Sequence, residues 1–181
     1  MIINLKVLIA HGSLGKFFHL QEFSNALQNE GIEVKLVRDI DFSRGFPSKN
    51  ISDWFKGNRK FKKLIQEFKP DVIFVDRQTH FGLHSIKSGI PTFVLLRGHY
   101  WLEYYWAMKT LGGNLKIRIT LWFRNRITEK IFAKSTAVLP ICKYLEDVVK
   151  EHHPNQKTGV FLEGIDSKRW HSTEKMNLKH P

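Results

Sequence analysis

The sequence is short of cysteine, of acidic residues and of long apolar runs, and each shortage excludes something. A single thiol, Cys142, rules out an internal disulfide framework and fits a reducing compartment. No neighbouring feature activates that thiol, so it is expected to be a small buried hydrophobe. No apolar run is long enough to span a bilayer. The opening Met1–Lys6 lacks the charged n-region and small-residue cleavage site of a signal peptide. A cytoplasmic protein is therefore expected, at most peripheral on the inner face of a membrane. No low-complexity tract interrupts a chain whose hydrophobic share is 42%, which excludes disorder as the main state.

The acidic shortage has a different consequence. With 29 Lys and Arg against 17 Asp and Glu, the formal net charge is +12 over 181 residues. Such a field attracts nucleic acid, anionic lipid and phosphorylated small molecules alike, so placement of the cations must choose among them. Zinc-finger, RNP and helix-turn-helix signatures are absent, which leaves nucleic acid the least favoured partner.

What is present is a repeating alternation of short apolar runs and helical patterns. Val7–Ala10, Val34–Val37, Val72–Val75, Thr92–Leu96, Ala137–Pro140 and Gly159–Leu162 read as six strands. Between them, helical spacing predicts helices over His19–Gly31, Trp54–Phe68, His80–Ser88 and Ile141–His152. A further helix carries the stripe Ile119, Phe123, Ile127 and Ile131. Strands separated by helices predict an α/β, Rossmann-like doubly wound parallel sheet over residues 1–170, followed by a linker over 171–181. In such a sheet ligands bind beyond the carboxyl ends of the strands. That rule selects the turns Gly12–Lys16, Asp76–His80, Arg97–Tyr100, Pro140–Lys143 and Glu163–Asp166.

The first of these turns, Gly12-Ser13-Leu14-Gly15-Lys16, suits an anion held by backbone N–H groups, and equally suits a tight turn with no ligand. Its glycine spacing is too short for a P-loop, and Phe17 stands where a magnesium-binding hydroxyl belongs. The dinucleotide fingerprint is also missing, although Asp39 follows the second strand at about the distance of a ribose-binding carboxylate. His80 and His84 lie four apart with no third ligand at metal spacing, so a structural role is expected and neither metal nor cofactor is assigned.

The cations gather on two helices that also carry aromatics. One holds Trp54, Lys56, Arg59, Lys60, Lys62 and Lys63; the other holds Lys116, Arg118, Trp122, Phe123, Arg124 and Arg126. Each pattern fits a solvated face over a core-facing stripe, and each also fits a helix lying on an anionic bilayer. On the second reading Trp54, Lys56, Arg59, Trp122, Arg124 and Arg126 are the membrane contacts.

Several segments, in order along nearly the whole chain, resemble the amino-terminal domain of family 4 glycosyltransferases of the GT-B fold, archaeal members especially. They are Lys6–Ile9 with Gly12–Lys16, Pro70–Asp76, Gly89-Ile90-Pro91, Leu96–Trp101, Leu139–Leu145, and Gly164-Ile165-Asp166 with Arg169-Trp170. The resemblance implies transfer of a sugar from a nucleotide donor, with retained anomeric configuration, to an acceptor bound mainly by this domain. A lipid-linked or membrane-associated acceptor is expected. By position it assigns Arg97 and His99 to the reacting sugar, and Gly12, Ser13, Gly15, Lys16, Arg77, His80, Gly98, Lys143, Glu163 and Asp166 to substrate binding. Many relatives have histidine where this chain has Arg97, so a histidine role does not transfer to that position. The family's donor site, with its paired glutamates, lies in a second domain not found in these residues, so the chain alone is expected to be inactive. Two other readings follow from the residues: a membrane-docking subunit that recruits a donor-binding partner, and, from Asp39, a dinucleotide-binding oxidoreductase fragment.

Overall fold

The computed structural model describes residues 5–12, 17–46, 53, 59–162 and 164. Five strands alternate with helices. In chain order these are β1 (Lys6–His11), α1 (Phe17–Asn29), β2 (Glu33–Arg38), α2 (Asp39–Phe42), α3 (Arg59–Phe68) and β3 (Val72–Val75). They continue as α4 (His80–Ser88), β4 (Thr92–Leu96), α5 (Tyr100–Leu111), α6 (Leu115–Lys134), β5 (Ala137–Pro140) and α7 (Lys143–His152). All pairings are parallel and the sheet order is β2-β1-β3-β4-β5. The chain winds one way from β1 to β2 and the other way from β3 onward. The strand ends therefore part at the β1/β3 boundary, where an open α/β sheet makes its crevice.

The period-2 geometry of the strands divides their apolar residues between two cores. Leu8 and Ala10 of β1 join Phe61, Phe81, Ile131 and Leu145, from α3, α4, α6 and α7, on one face. Val7 and Ile9 join Leu20 of α1 on the other, with Phe23, Leu27 and Phe161 packed beside them. This is the α/β parallel architecture that the alternating pattern predicts. Helix α4 occupies the residues read for it, and it stops where Gly89 takes a φ of 79°, a left-handed conformation that favours glycine.

Four expectations need correction, and two fall outside the described residues. Residues 159–162 do not form a sixth strand. A single bridge, Val138 with Thr158, precedes them beside β5, and the Phe161 N–H donates to Pro140 O at 2.7 Å. Pro140 has no N–H to return to this neighbour, so the ladder cannot propagate. Cys142 is exposed rather than buried, because it precedes α7 at the rim of the sheet. On α1, where Leu20, Phe23, Ala26 and Leu27 fall at helical spacing, Ala26 is exposed and Ser24 is buried with Leu20. The 54–58 part of the basic helix and the 171–181 linker lie outside the described residues.

The stripe on α6 is the fourth case. Ile131 is fully buried and Ile127 packs against the core, but Ile119 and Phe123 are exposed. Length explains the change. A helix of 20 residues is about 30 Å long, whereas strands of four to six residues span about 13–20 Å. The first half of α6 consequently projects past the carboxyl edge of the sheet. Helix α5 projects with it and has no buried residue of its own.

Candidate functional site

At the carboxyl edge of β3 and β4, the 43–46 loop, the 76–80 turn, the start of α5 and the middle of α6 enclose a cleft of about 840 Å³. Its floor is an ion pair. Arg97 Nε lies 3.3 Å from Asp76 Oδ1, with side-chain exposures of 9% and 3%. Two opposite charges removed from water must be held in close register, because separating them leaves an uncompensated buried charge. Asp76 Oδ2 also accepts the Gly12 N–H at 3.4 Å, which ties β1 to β3 at the crevice.

The rim is cationic. Arg44, Arg77 and Arg124 line the cleft with Arg97, against the carboxylates of Asp76 and Glu103. Arg77 donates to Gly12 O and approaches Asp39 Oδ2 at 3.8 Å. A side chain at Gly12 would meet the Arg77 side chain, which would have to shift away from Gly12 O. On the α6 side Tyr100 donates to Asn125 Oδ1 at 3.1 Å, and burial pushes its phenol up to about 12. It is therefore a neutral donor at ordinary pH. Burial also lowers His80, aided by Lys87 and Arg124, which keeps a neutral imidazole at the rim.

Among the sequence-assigned residues, Arg77, His80, Arg97 and Gly98 converge on this cleft. Arg124, assigned from sequence to a membrane, is an exposed residue that also lines it. His99 stands at its margin as the cap of α5: Nδ1 accepts the Leu102 N–H at 3.1 Å. The neutral ring then carries its proton on Nε2. Lys143 lies on α7 outside the cleft lining, with Nζ 2.7 Å from Glu146 and 3.2 Å from Asp147. Gly12 is not in the cleft lining and reaches it through Arg77 and Asp76. Ser13, Gly15, Lys16, Glu163, Asp166, Trp54 and Lys56 lie outside the described residues. Arg59 is exposed at the start of α3.

Asp39 is turned inward. It is 2% exposed, accepts from Thr79 Oγ1 at 3.0 Å, and burial raises its pKa against the opposing effects of Thr79 and Arg77. A carboxylate so engaged is not presented to a ribose. His80 and His84 have ring centroids 6.4 Å apart, and among the described residues no cluster of three or more His, Cys, Asp or Glu could hold a metal.

Residues of the 43–46 loop and Glu103 were not anticipated. The strand-end rule would have found the first had it been applied after β2 as well as after β1, β3, β4 and β5. Glu103 is one helical turn beyond His99, and nothing in its local sequence marks it.

A five-stranded all-parallel sheet with helices on both faces and a cleft at the strand ends defines a Rossmann-like half domain of the GT-B type. The chain is similar in fold to the UDP-GlcNAc 2-epimerase of Methanocaldococcus jannaschii, with a TM-score of 0.54 and 16% identity. The match covers 86% of this chain and 45% of that one, so the chain spans about half the length of the enzyme it resembles. No protein-family model matches the sequence, and no curated protein matches it. No helix among the described residues is long and apolar enough to cross a membrane.

Proposed function

We propose that this chain is the acceptor-side half of an enzyme that uses a nucleotide sugar. Its reaction is glycosyl transfer with retained configuration to a lipid-linked or membrane-associated acceptor, as the resemblance to family 4 implies. The observation that carries the reading is the arginine-rimmed cleft at the carboxyl edge of the sheet. Four guanidinium groups against two carboxylates suit an acceptor that bears phosphate or carboxylate, since arginine binds such groups through its planar fork. Arg77 and Arg124 grip the acceptor's anionic group, while Arg97, fixed by Asp76, supports charge developing next to the reacting sugar. His99, whose Nδ1 is engaged as the cap of α5, offers Nε2–H as the donor beside it.

The similarity in fold to a UDP-GlcNAc 2-epimerase supports a nucleotide sugar as the donor class. The donor is held mainly by a second domain. The test is calorimetric titration of the chain with dodecyl phosphate below its micelle concentration, repeated on Arg77→Ala and Arg124→Ala. Saturable binding weakened roughly tenfold or more in each variant is expected for a charge-assisted contact. Binding that is absent, or indifferent to both arginines, removes the acceptor assignment.

A further inference from the structure

The α5–α6 hairpin presents a surface that the cleft does not use. Its two helices meet at Gly112-Gly113-Asn114, where the Asn114 side chain accepts from the Lys116 and Ile117 N–H groups and starts α6 cleanly. Around this tip, large apolar side chains stand in solvent: Leu111 is 54% exposed, Leu115 69%, and Trp106 and Trp122 each 49%. On α6, Leu115, Ile119 and Trp122 follow steps of four and three, so they share one helix face. Arg118 and Arg126 fall on the same face by the same spacing. Arg126 lies over the Trp122 ring at 5.7 Å, and on α5 Lys109 lies over Trp106 at 4.9 Å.

The charge of this projection has one sign. Between Glu103 and Glu129 the sequence contains Lys109, Lys116, Arg118, Arg124 and Arg126, and no acidic residue. A protein partner that covered the apolar residues would have to bring matching carboxylates. A bilayer with anionic headgroups supplies both complements at once: hydrocarbon for the leucines and tryptophans, phosphate for the cations whose stems run along the same surface.

We propose that the α5–α6 hairpin docks the protein on an anionic bilayer, with Trp106, Trp122 and Leu115 entering the headgroup boundary. The cleft opens beside this surface, because Arg124, Ile127 and Thr128 of α6 line it. Docking would therefore set the cleft at the height of lipid headgroups. The inference goes beyond glycosyl transfer and depends on no catalytic assignment.

The test is cosedimentation of the full chain with vesicles of phosphatidylcholine alone or mixed with phosphatidylglycerol, together with quenching of tryptophan fluorescence by brominated lipid. Binding to the anionic vesicles only, weakened by salt and accompanied by quenching, is expected. Lys116→Gln with Arg118→Gln should lower vesicle affinity by roughly thirtyfold, or about 1 kcal/mol per cation. Trp106→Ser with Trp122→Ser should remove the quenching while circular dichroism stays native. Lys62→Gln with Lys63→Gln on α3 should change affinity less than about twofold, because among the described residues those cations have no exposed apolar companions on their helix face. The proposal fails if anionic vesicles do not retain the chain, or if the α3 pair matters as much as the hairpin pair. It also fails if sedimentation equilibrium reveals a dimer that the tryptophan substitutions dissolve, which would make a second copy the occupant.

Discussion

Helix α3 and the α5–α6 hairpin share a pattern of cations among apolar residues, yet the fold uses them in opposite ways. Both interleave Lys and Arg with Phe, Leu, Ile and, in the hairpin, Trp. In α3, Phe61, Leu64 and Phe68 are buried, while Arg59, Lys60, Lys62 and Lys63 are exposed. The apolar stripe is a core stripe and the cations are its solvated back. In the hairpin the stripe itself is exposed, from Leu111 through Phe123. The difference lies in what stands opposite. Helix α3 lies along the sheet, with Phe61 against Phe81 of α4 at 5.1 Å, whereas the first half of α6 extends beyond the sheet, where Phe123 touches Phe46 at 5.2 Å but the apolar stripe stays exposed. Amphipathic composition defines a face, and only the neighbours decide whether that face is core or surface.

The contrast can be broken most forcefully at Phe61. Phe61→Ala should destabilise the protein by about 3–5 kcal/mol, because it removes a ring only 3% exposed from a packed core. Trp122→Ala, although a larger truncation, should shift stability by less than about 1 kcal/mol. Urea unfolding of the two variants checks both, and equal losses would abolish the distinction between the helices.

A smaller loss is expected where the hairpin is anchored. Trp101 stacks on His152 at 4.2 Å, and its Nε1–H donates to Glu129 at 2.9 Å, holding the base of α5 to α6 and α7. Trp101→Ala should cost about 2 kcal/mol and loosen the hairpin before the sheet. Limited proteolysis should then cut near Gly112-Gly113 at denaturant concentrations that leave the α3 region protected.

Acid offers a graded way to sharpen the comparison, since His84 of α4 lies beside Phe61 with ring centroids 5.9 Å apart. Burial, followed by the charges of His80 and Lys87, lowers its pKa from 6.5 to about 4. The unfolded chain therefore takes up this proton first. The contribution to stability is fully present above pH 6.5 and is lost as pH falls from 6.5 towards 4. His84→Gln should flatten the stability profile across that window, as read by thermal unfolding at a series of pH values. An unchanged slope would place the acid sensitivity elsewhere.

The smallest effect belongs to the back of α3. Lys62→Gln with Lys63→Gln should change stability by no more than about 0.5 kcal/mol, even though Lys63 pairs with Glu67 at 3.6 Å. Denaturant midpoints indistinguishable from those of the unmodified chain are the expected result.

The sequence by itself determined the alternation of strands and helices, and with it the parallel sheet and the edge at which to look for a ligand. Those features follow from local apolar periodicity and from turn residues such as Gly89. Four of the assigned residues, Arg77, His80, Arg97 and Gly98, meet at that edge because each follows a strand end closely. Tertiary structure alone decided the rest. Pro140 withholds the N–H that a sixth strand needs, which is visible only once its neighbour is known. Asp39, suitably spaced for a ribose, is drawn inward by Thr79 and Arg77, which lie 40 and 38 positions away in sequence. The two basic helices diverge for the same reason: side-chain pattern is a local property, whereas burial depends on which surface the folded chain places opposite it.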